Sequence, residues 1–270
     1  MNIKAIAFDL DDTLLRDDLT ISAYTLDTLR QAAARGIHII PASGRARDSM
    51  KPFVEQLGCA SLYISCNGAE VWSPEHQLLA REVLEVPLAR EIARFGSAHG
   101  CYAQTYDEHR FYFNQRGHWA ESYARSSMLT GEYVGDLETY LTAPTTKILM
   151  MAEEEKIARM LTEARALFAG RVSVTCSKPY FLEFNPLRAT KGNALALCGE
   201  RLGFPLQACA AFGDSLNDMS MLEAAGVGIA MGNAREDVRA RIPTHCPTNM
   251  EDGVARWVDC HVLSPRRSNT

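Results

Sequence analysis

The stretch Ile6-Ala7-Phe8-Asp9-Leu10-Asp11-Asp12-Thr13-Leu14-Leu15 passes from unbroken apolar residues to clustered acid and back. The apolar run starts at Ile3 and is interrupted only by Lys4. It does not alternate cleanly, so it reads as a strand buried on both faces, as in a parallel sheet. Such a strand does not normally end in three aspartates. Like charges this close raise one another's pKa and destabilise a fold unless a cation or a function needs them. In open α/β sheets, ligands bind beyond the carboxyl ends of the strands. The stretch therefore predicts a catalytic carboxylate pair beside a metal, at the end of the first strand of an α/β domain.

Composition sets the surroundings. The chain has 270 residues, 47% hydrophobic, enough for one large core or two smaller ones. With 23% charged residues and a net charge of -5, it lacks the electrostatic footprint of a partner for nucleic acid or an anionic membrane. Arg266-Arg267 reads as a frayed basic end. The eight cysteines form no Cys-x-x-Cys pair and read as small apolar residues with reduced thiols. Met1 to Phe8 is cut short by Asp9 and does not read as a secretory leader. No apolar run reaches the length of a membrane span. A cytoplasmic protein is expected.

Working along the chain, Ser22 caps an expected helix that Gly36 stops. Ile37 to Ala42 is a second strand, ending in Ser43-Gly44-Arg45. A helix over Arg47 to Leu57, closed by Gly58, leads to a third strand, Leu62 to Ser65, and the turn signal Asn67-Gly68. This order predicts a parallel sheet with right-handed crossovers. Between Val83 and Leu187 the pattern changes to mixed polar and aromatic. Helices are expected at Leu88–His99 and Glu153–Phe168, and strands at Arg110–Asn114, Thr146–Met151, Val172–Cys176 and Tyr180–Phe184. The α/β pattern returns with a helix from Thr190 to Leu202, a strand Ala208–Phe212 ending in Gly213-Asp214-Ser215-Leu216-Asn217-Asp218, and a strand Val227–Met231. The expected organisation is a Rossmann-like parallel-sheet core from 1–82 and 188–270, with an α+β domain, 83–187, inserted.

Asp9/Asp11, Ser43-Gly44, Lys191 and Asp214/Asp218 can converge on one sheet edge. Asp9 and Asp11, two apart, are expected on the same side of the strand, with Asp12 pointing away. Two carboxylates about 4 Å apart repel by roughly 4 kcal/mol at an effective dielectric near about 20, so a phosphate dianion needs a divalent cation to enter. Hard oxygen ligands without His or Cys favour Mg²⁺. In that field Asp9 can attack phosphorus in line. Asp11, protonated at the outset, can serve the leaving group and then the hydrolytic water. Ser43, the Gly44 amide and Lys191 can hold the transferring oxygens. Lys191 opposes the dipole of the helix it starts unless an anion sits over the same helix end. Each group also has a plainer reading: Ser43 as a helix cap, Lys191 as a surface lysine, Asn67 as a turn residue, and Arg45 as a structural ion pair rather than a substrate contact.

Phe8-Asp9-Leu10-Asp11-Asp12-Thr13, Ala42-Ser43-Gly44-Arg45, Lys191-Gly192 and Gly213-Asp214-Ser215-Leu216-Asn217-Asp218 resemble, in order, the four motifs of the haloacid dehalogenase-like phosphatases. Asn67-Gly68-Ala69, Tyr180-Phe181-Leu182-Glu183 and Glu251-Asp252-Gly253-Val254-Ala255 look like the Cof-type subgroup, with its large α+β cap. The resemblance implies hydrolysis of small phosphate esters, sugar phosphates first, through an aspartyl phosphate on Asp9, with Asp11 as general acid and base. It implies Mg²⁺ held by the Asp9 side chain, the Asp11 main-chain carbonyl and Asp214, with Asp218 close behind. Ser43 and Lys191 would bind phosphate, and Asn217 would face the substrate or Lys191. The chain departs from the pattern at Asp12, where glycine is common. Ile40-Pro41 also removes one main-chain donor from the sheet. A phosphomutase or phosphotransferase with the same intermediate, and a receiver-like phospho-accepting module, remain as alternatives. The substrate is left open among sugar phosphates, pyridoxal phosphate and nucleotide monophosphates, as is the oligomeric state.

Overall fold

The first apolar run forms β1 (Ala5–Phe8), buried throughout. The structure is a computed structural model that describes residues 2–107 and 109–264; Arg266-Arg267 lies outside the described residues. Ser22 caps α1 (Ala23–Ala34) by accepting the Thr25 amide. Then come β2 (His38–Pro41) and α2 (Arg47–Leu57), which Gly58 closes in the left-handed conformation. Pro41 is tolerated because β2 is the last strand of its sheet.

The expected third strand is present as β3 (Tyr63–Ser65), but it does not extend the parallel sheet. It pairs antiparallel with β4 (Glu70–Trp72), which pairs with β5 (Leu78–Arg81). Its parallel contacts are the isolated bridges Ile39↔Ala60 and Ala42↔Ile64. The cause is local. Asn67 (φ 57°) and Gly68 (φ 99°) reverse the chain at once, so no crossover helix intervenes. Gly68 is further constrained, since a Cβ there would lie 2.3 Å from the Thr190 carbonyl.

The chain next builds α3 (Val86–Ala98), β6 (Tyr102–Tyr106), β7 (Arg110–Phe113), α4 (His118–Ser127), β8 (Thr130–Tyr133), α5 (Leu137–Tyr140), β9 (Ile148–Met151), α6 (Glu154–Leu167), β10 (Val172–Thr175) and β11 (Phe181–Pro186). Six of these strands form a sheet in the order β10-β11-β9-β6-β7-β8. Ile148 and Met150 of β9 pack under α3 and α6, whereas Leu149 and Met151 face the other way. Both faces are buried, so β9 is continuously apolar. The second face packs with Ala46, Cys66, Ala69 and Ala189, and so joins the two sheets.

The α/β pattern resumes with α7 (Lys191–Leu202), capped by the Thr190 hydroxyl and ended by left-handed Gly203. It continues through β12 (Cys209–Gly213), α8 (Met219–Ala224), β13 (Val227–Ala230), α9 (Glu236–Arg241), β14 (Thr244–His245) and α10 (Gly253–Val258). The five-stranded sheet has the order β14-β13-β12-β1-β2, every neighbour parallel. Phe8 lies opposite both Phe212 and Pro41. That register sets Asp9, Ser43 and Asp214 beyond one edge. Among the described residues, no helix is long and apolar enough to cross a membrane. All eight cysteines are free.

Candidate active site

Beyond Phe8 the strand stops, and Leu10–Leu14 form a single wide helical turn with Asp12 at φ 59°. Asp9 and Asp11 therefore do not share a face by strand alternation, as the sequence suggested. The turn brings them together instead, and Asp12 also reaches the same cavity.

Lys191 is wholly buried. Its ammonium donates to Asp9 and, at 2.5 Å, to Asp218. The plainer reading of a surface lysine is excluded. Burial pushes its pKa down, but Asp218 and Asp9 outweigh that and hold it above the ordinary lysine value. Lys191 reaches them because α7 lies close on α8: a Cβ on Gly192 would stand 2.3 Å from the Ser220 carbonyl.

Asp214 accepts from Thr13 Oγ1 at 3.0 Å and from Ser215 Oγ at 2.7 Å. Asp218 has both oxygens occupied, one by Lys191 and the other by the amides of Asp214 and Ser215 at 3.0 Å. Its geometry is that of an anchor for the lysine and the loop. Ser43, buried beside the cavity, is not the cap of α2, which starts after Ala46. Its Oγ accepts the Arg45 amide at 3.1 Å, which leaves its own O–H free to donate.

Arg45 is an ion-pair residue. Its guanidinium grips Asp11 through Nε (2.8 Å) and Nη2 (2.6 Å), and its Nη1 donates to Ser49 Oγ and to the Ser126 carbonyl at the end of α4. Burial pushes the Asp11 pKa up, but the Arg45 hydrogen bonds and charge outweigh this and hold it below the usual carboxylate value. In this arrangement Asp11 is an anion, not the protonated acid the sequence reading assumed. A bidentate guanidinium is the reason.

Asn217 lines the cavity, but its Nδ2 donates to Asn67 Oδ1 (3.1 Å) rather than meeting Lys191. Asn67 in turn donates to Glu183 Oε1 at 3.2 Å. It is thus more than a turn residue, standing behind Asn217. A Cβ on Gly44 would lie 2.8 Å from the Asn67 oxygen, so a side chain there would displace the Asn67 amide. Lys147 and Glu183 were missed as site residues. Lys147, just before β9, donates to the Gly44 carbonyl (2.9 Å) and to Glu183 Oε1 (2.8 Å). The signal available was charge out of place: a lysine against the run Ile148-Leu149-Met150-Met151 and a glutamate inside Phe181-Leu182-Glu183-Phe184.

The Lys147–Glu183 pair makes a pH prediction. Burial raises the Glu183 pKa, but the Lys147 charge and hydrogen bond outweigh it and leave the value below the ordinary 4.5. A depressed carboxylate stabilises the fold fully above its unfolded pKa, and that contribution is lost as pH falls through the lower folded value. Thermal unfolding of the Glu183→Gln variant should therefore fall less steeply than wild type on acidification below 4.5. Parallel Tm–pH curves would contradict this.

Asp9, Asp214 and Asp218 each bring one oxygen within 4.8 Å of the others, and this acidic group can hold a metal ion. The charges favour one. Asp9, Asp11, Asp12, Asp214 and Asp218 stand with Lys191, Arg45 and Lys178, a surplus of two negative charges. Burial raises the Asp9 pKa well above normal; Lys191 lowers it, while Asp218, Asp214 and Asp11 add to the rise. Burial and Asp218 push Asp214 up to about 7. A divalent cation would remove the surplus, and the donors are all oxygen, which suits a hard ion.

The family model described as haloacid dehalogenase-like hydrolase matches residues 6–258. The chain belongs to this family. It is 30% identical over 264 residues to the 5-amino-6-(5-phospho-D-ribitylamino)uracil phosphatase YcsE of Bacillus subtilis, covering 97% of both chains. It is 29% identical over 274 residues to the HMP-PP phosphatase of Serratia proteamaculans, covering 97% of this chain and 96% of that one. A haloacid dehalogenase-like hydrolase from B. subtilis superposes with a TM-score of 0.86 at 30% identity, covering 97% of this chain and 100% of its own. In this hydrolase the two sheets together wall a cavity of about 160 Å³, with Asp9, Asp11, Ser43 and Asp214 on one side and Trp119, Lys178 and Tyr180 on the other.

Proposed function

We propose that this protein is a magnesium-dependent phosphatase that hydrolyses small phosphomonoesters through a phosphorylated Asp9. One observation carries the reading. Asp9, buried and paired with Lys191, shares a cavity with Asp214, Asp11 and the free Ser43 hydroxyl. In this reading, residues 1–82 and 188–270 are the catalytic core, and 83–187 are a cap. The links from Arg45 to Ser126, Lys147 to Gly44 and Asn67 to Glu183 hold the cap down.

Magnesium would be held by the side chains of Asp9 and Asp214 and the main-chain carbonyl of Asp11, with Asp218 behind. When bound, it cancels the surplus negative charge that would otherwise repel a phosphate dianion. An Asp9 oxygen attacks phosphorus while Lys191, the Ser43 hydroxyl and the Gly44 amide hold the other oxygens. The leaving alkoxide takes its proton from Asp11. In the second step Asp11 recovers a proton from the water that attacks the phosphoaspartate. For the first step Asp11 must carry a proton, so the pair with Arg45 seen in the free protein has to open as substrate enters. The cap excludes bulk water throughout.

The named relatives act on small phosphorylated compounds, which supports a small phosphorylated metabolite as substrate and a cytoplasmic location. The test is phosphate release from an aryl phosphate with and without a chelator. Metal charge stabilisation is several kcal/mol, so chelation should slow release by roughly a hundredfold or more, with recovery on adding Mg²⁺. Release that is indifferent to chelator would refute the metal requirement.

A further inference from the structure

We propose, resting on the phosphatase reading above, that Lys147 is a positioning residue: reaching across from the 83–187 cap, it fixes the Gly44–Arg45 peptide and through it aims the Ser43 hydroxyl at a transferring phosphoryl oxygen.

The loop after β2 is pinned from two directions. Ser43 donates its amide to the Ile64 carbonyl at 2.9 Å, and its carbonyl accepts the Asn67 amide at 3.0 Å. The Arg45 carbonyl accepts the Cys66 amide at 2.9 Å. These partners all belong to the stretch around β3. The carbonyl between them, that of Gly44, accepts instead from Lys147 Nζ at 2.9 Å. Gly44 has no Cβ, so the peptides on either side of it turn at little steric cost. A side chain from the other sheet thus holds the middle of the loop.

That peptide carries the orientation one step further. A trans peptide is planar, with its carbonyl and its N–H pointing to opposite sides. Holding the Gly44 oxygen toward Lys147 therefore turns the Arg45 N–H the other way, onto Ser43 Oγ at 3.1 Å. With that bond accepted, the Ser43 hydroxyl has its proton left to donate, and Ser43 lines the cavity. Hydrogen bonds in series polarise one another, so the ammonium at one end strengthens the hydroxyl donor at the other.

Lys147 is 3% exposed, with its ammonium 5.1 Å from the centre of the Tyr106 ring. Burial pushes its pKa down, but the Glu183 charge outweighs that and holds it above the ordinary lysine value. Glu183 is steadied in turn by Asn67 at 3.2 Å and by the Ser177 side chain. A lysine that served only to neutralise Glu183 would need no contact with the loop. This one gives the loop a second of its three hydrogens.

The experiment is a double-mutant cycle on aryl phosphate release by the full-length protein with Mg²⁺: wild type, Lys147→Met, Ser43→Ala and both together, each with its Tm. Losing one oxyanion donor costs about 10²–10³ in kcat, so Ser43→Ala keeps a measurable rate. Lys147→Met is expected to lower kcat about tenfold with KM changed less than about twofold, and to lower kcat less than about twofold once Ser43 is replaced. The same loss in both backgrounds would overturn the proposal, because Lys147 would then act as a tether or on the substrate itself. A raised KM at unchanged kcat, or wild-type kinetics in Lys147→Met, would overturn it too. Each of these results leaves the phosphatase reading standing. If Lys147→Met fails to fold because Glu183 is stranded, Lys147→Met/Glu183→Gln takes its place in both backgrounds, since it leaves no unpaired charge buried. No release by the wild type would overturn both readings.

Discussion

Asp9→Asn is expected to lower kcat for an aryl phosphate by roughly 10⁴-fold or more, the scale seen when a nucleophile is removed from a covalent mechanism. The substitution keeps the side-chain shape and leaves Lys191 its second partner, Asp218. The fold should therefore survive, and thermal unfolding should show a Tm close to wild type. The two readouts together separate chemistry from collapse. Phosphoenzyme trapped by rapid acid quench should be absent from the variant and present in wild type. Turnover at the wild-type rate would remove Asp9 from the mechanism.

Lys191→Met should damage both stability and activity. The ammonium lies at 0% exposure between two carboxylates that are themselves nearly sealed. Its loss leaves Asp9 and Asp218 buried with one cation fewer, and breaking a buried pair from one side destabilises by about 3–5 kcal/mol. For a chain of this size that is a fall in Tm of roughly 6–20 °C. The double variant Lys191→Met/Asp218→Asn removes one stranded charge as well, so it should regain part of the Tm but none of the phosphate release. Equal Tm values for the single and double variants would show that Asp218 is not stabilised by the lysine. Normal turnover in either would show that Lys191 holds no transferring oxygen.

The contrast between Asp214 and Asp218 shows how far spacing alone carries. The sequence placed both near a metal. The structure distinguishes them by their partners: Asp214 opens onto the cavity, while Asp218 is filled by Lys191 and two amides. Arg45 is a similar case. Its sequence position allowed a substrate contact, but its carboxylate partner comes from the turn after β1 and its carbonyl partner from α4. Neither partner is a sequence neighbour. Inside the insert, β6, α4, β8 and α5 went unread. Their mixed aromatic and polar residues give no single period, and α4 follows Gly117 without a side-chain cap.

What the sequence determined by itself was everything with a local cause. The apolar runs made strands, Ser22 and Thr190 capped helices, Gly58 and Gly203 ended them, and the acidic cluster after Phe8 marked the edge where the carboxylates gather. These signals need only neighbours within a few residues, so they survive in one dimension. Only the tertiary structure decided which charge answers which. Lys191 with Asp9 and Asp218, Arg45 with Asp11, and Lys147 with Glu183 are pairings made across the fold. A buried charge is tolerable only beside its partner. Which partner is near depends on sheet register and on the second sheet lying over the first, neither of which is written at any single position.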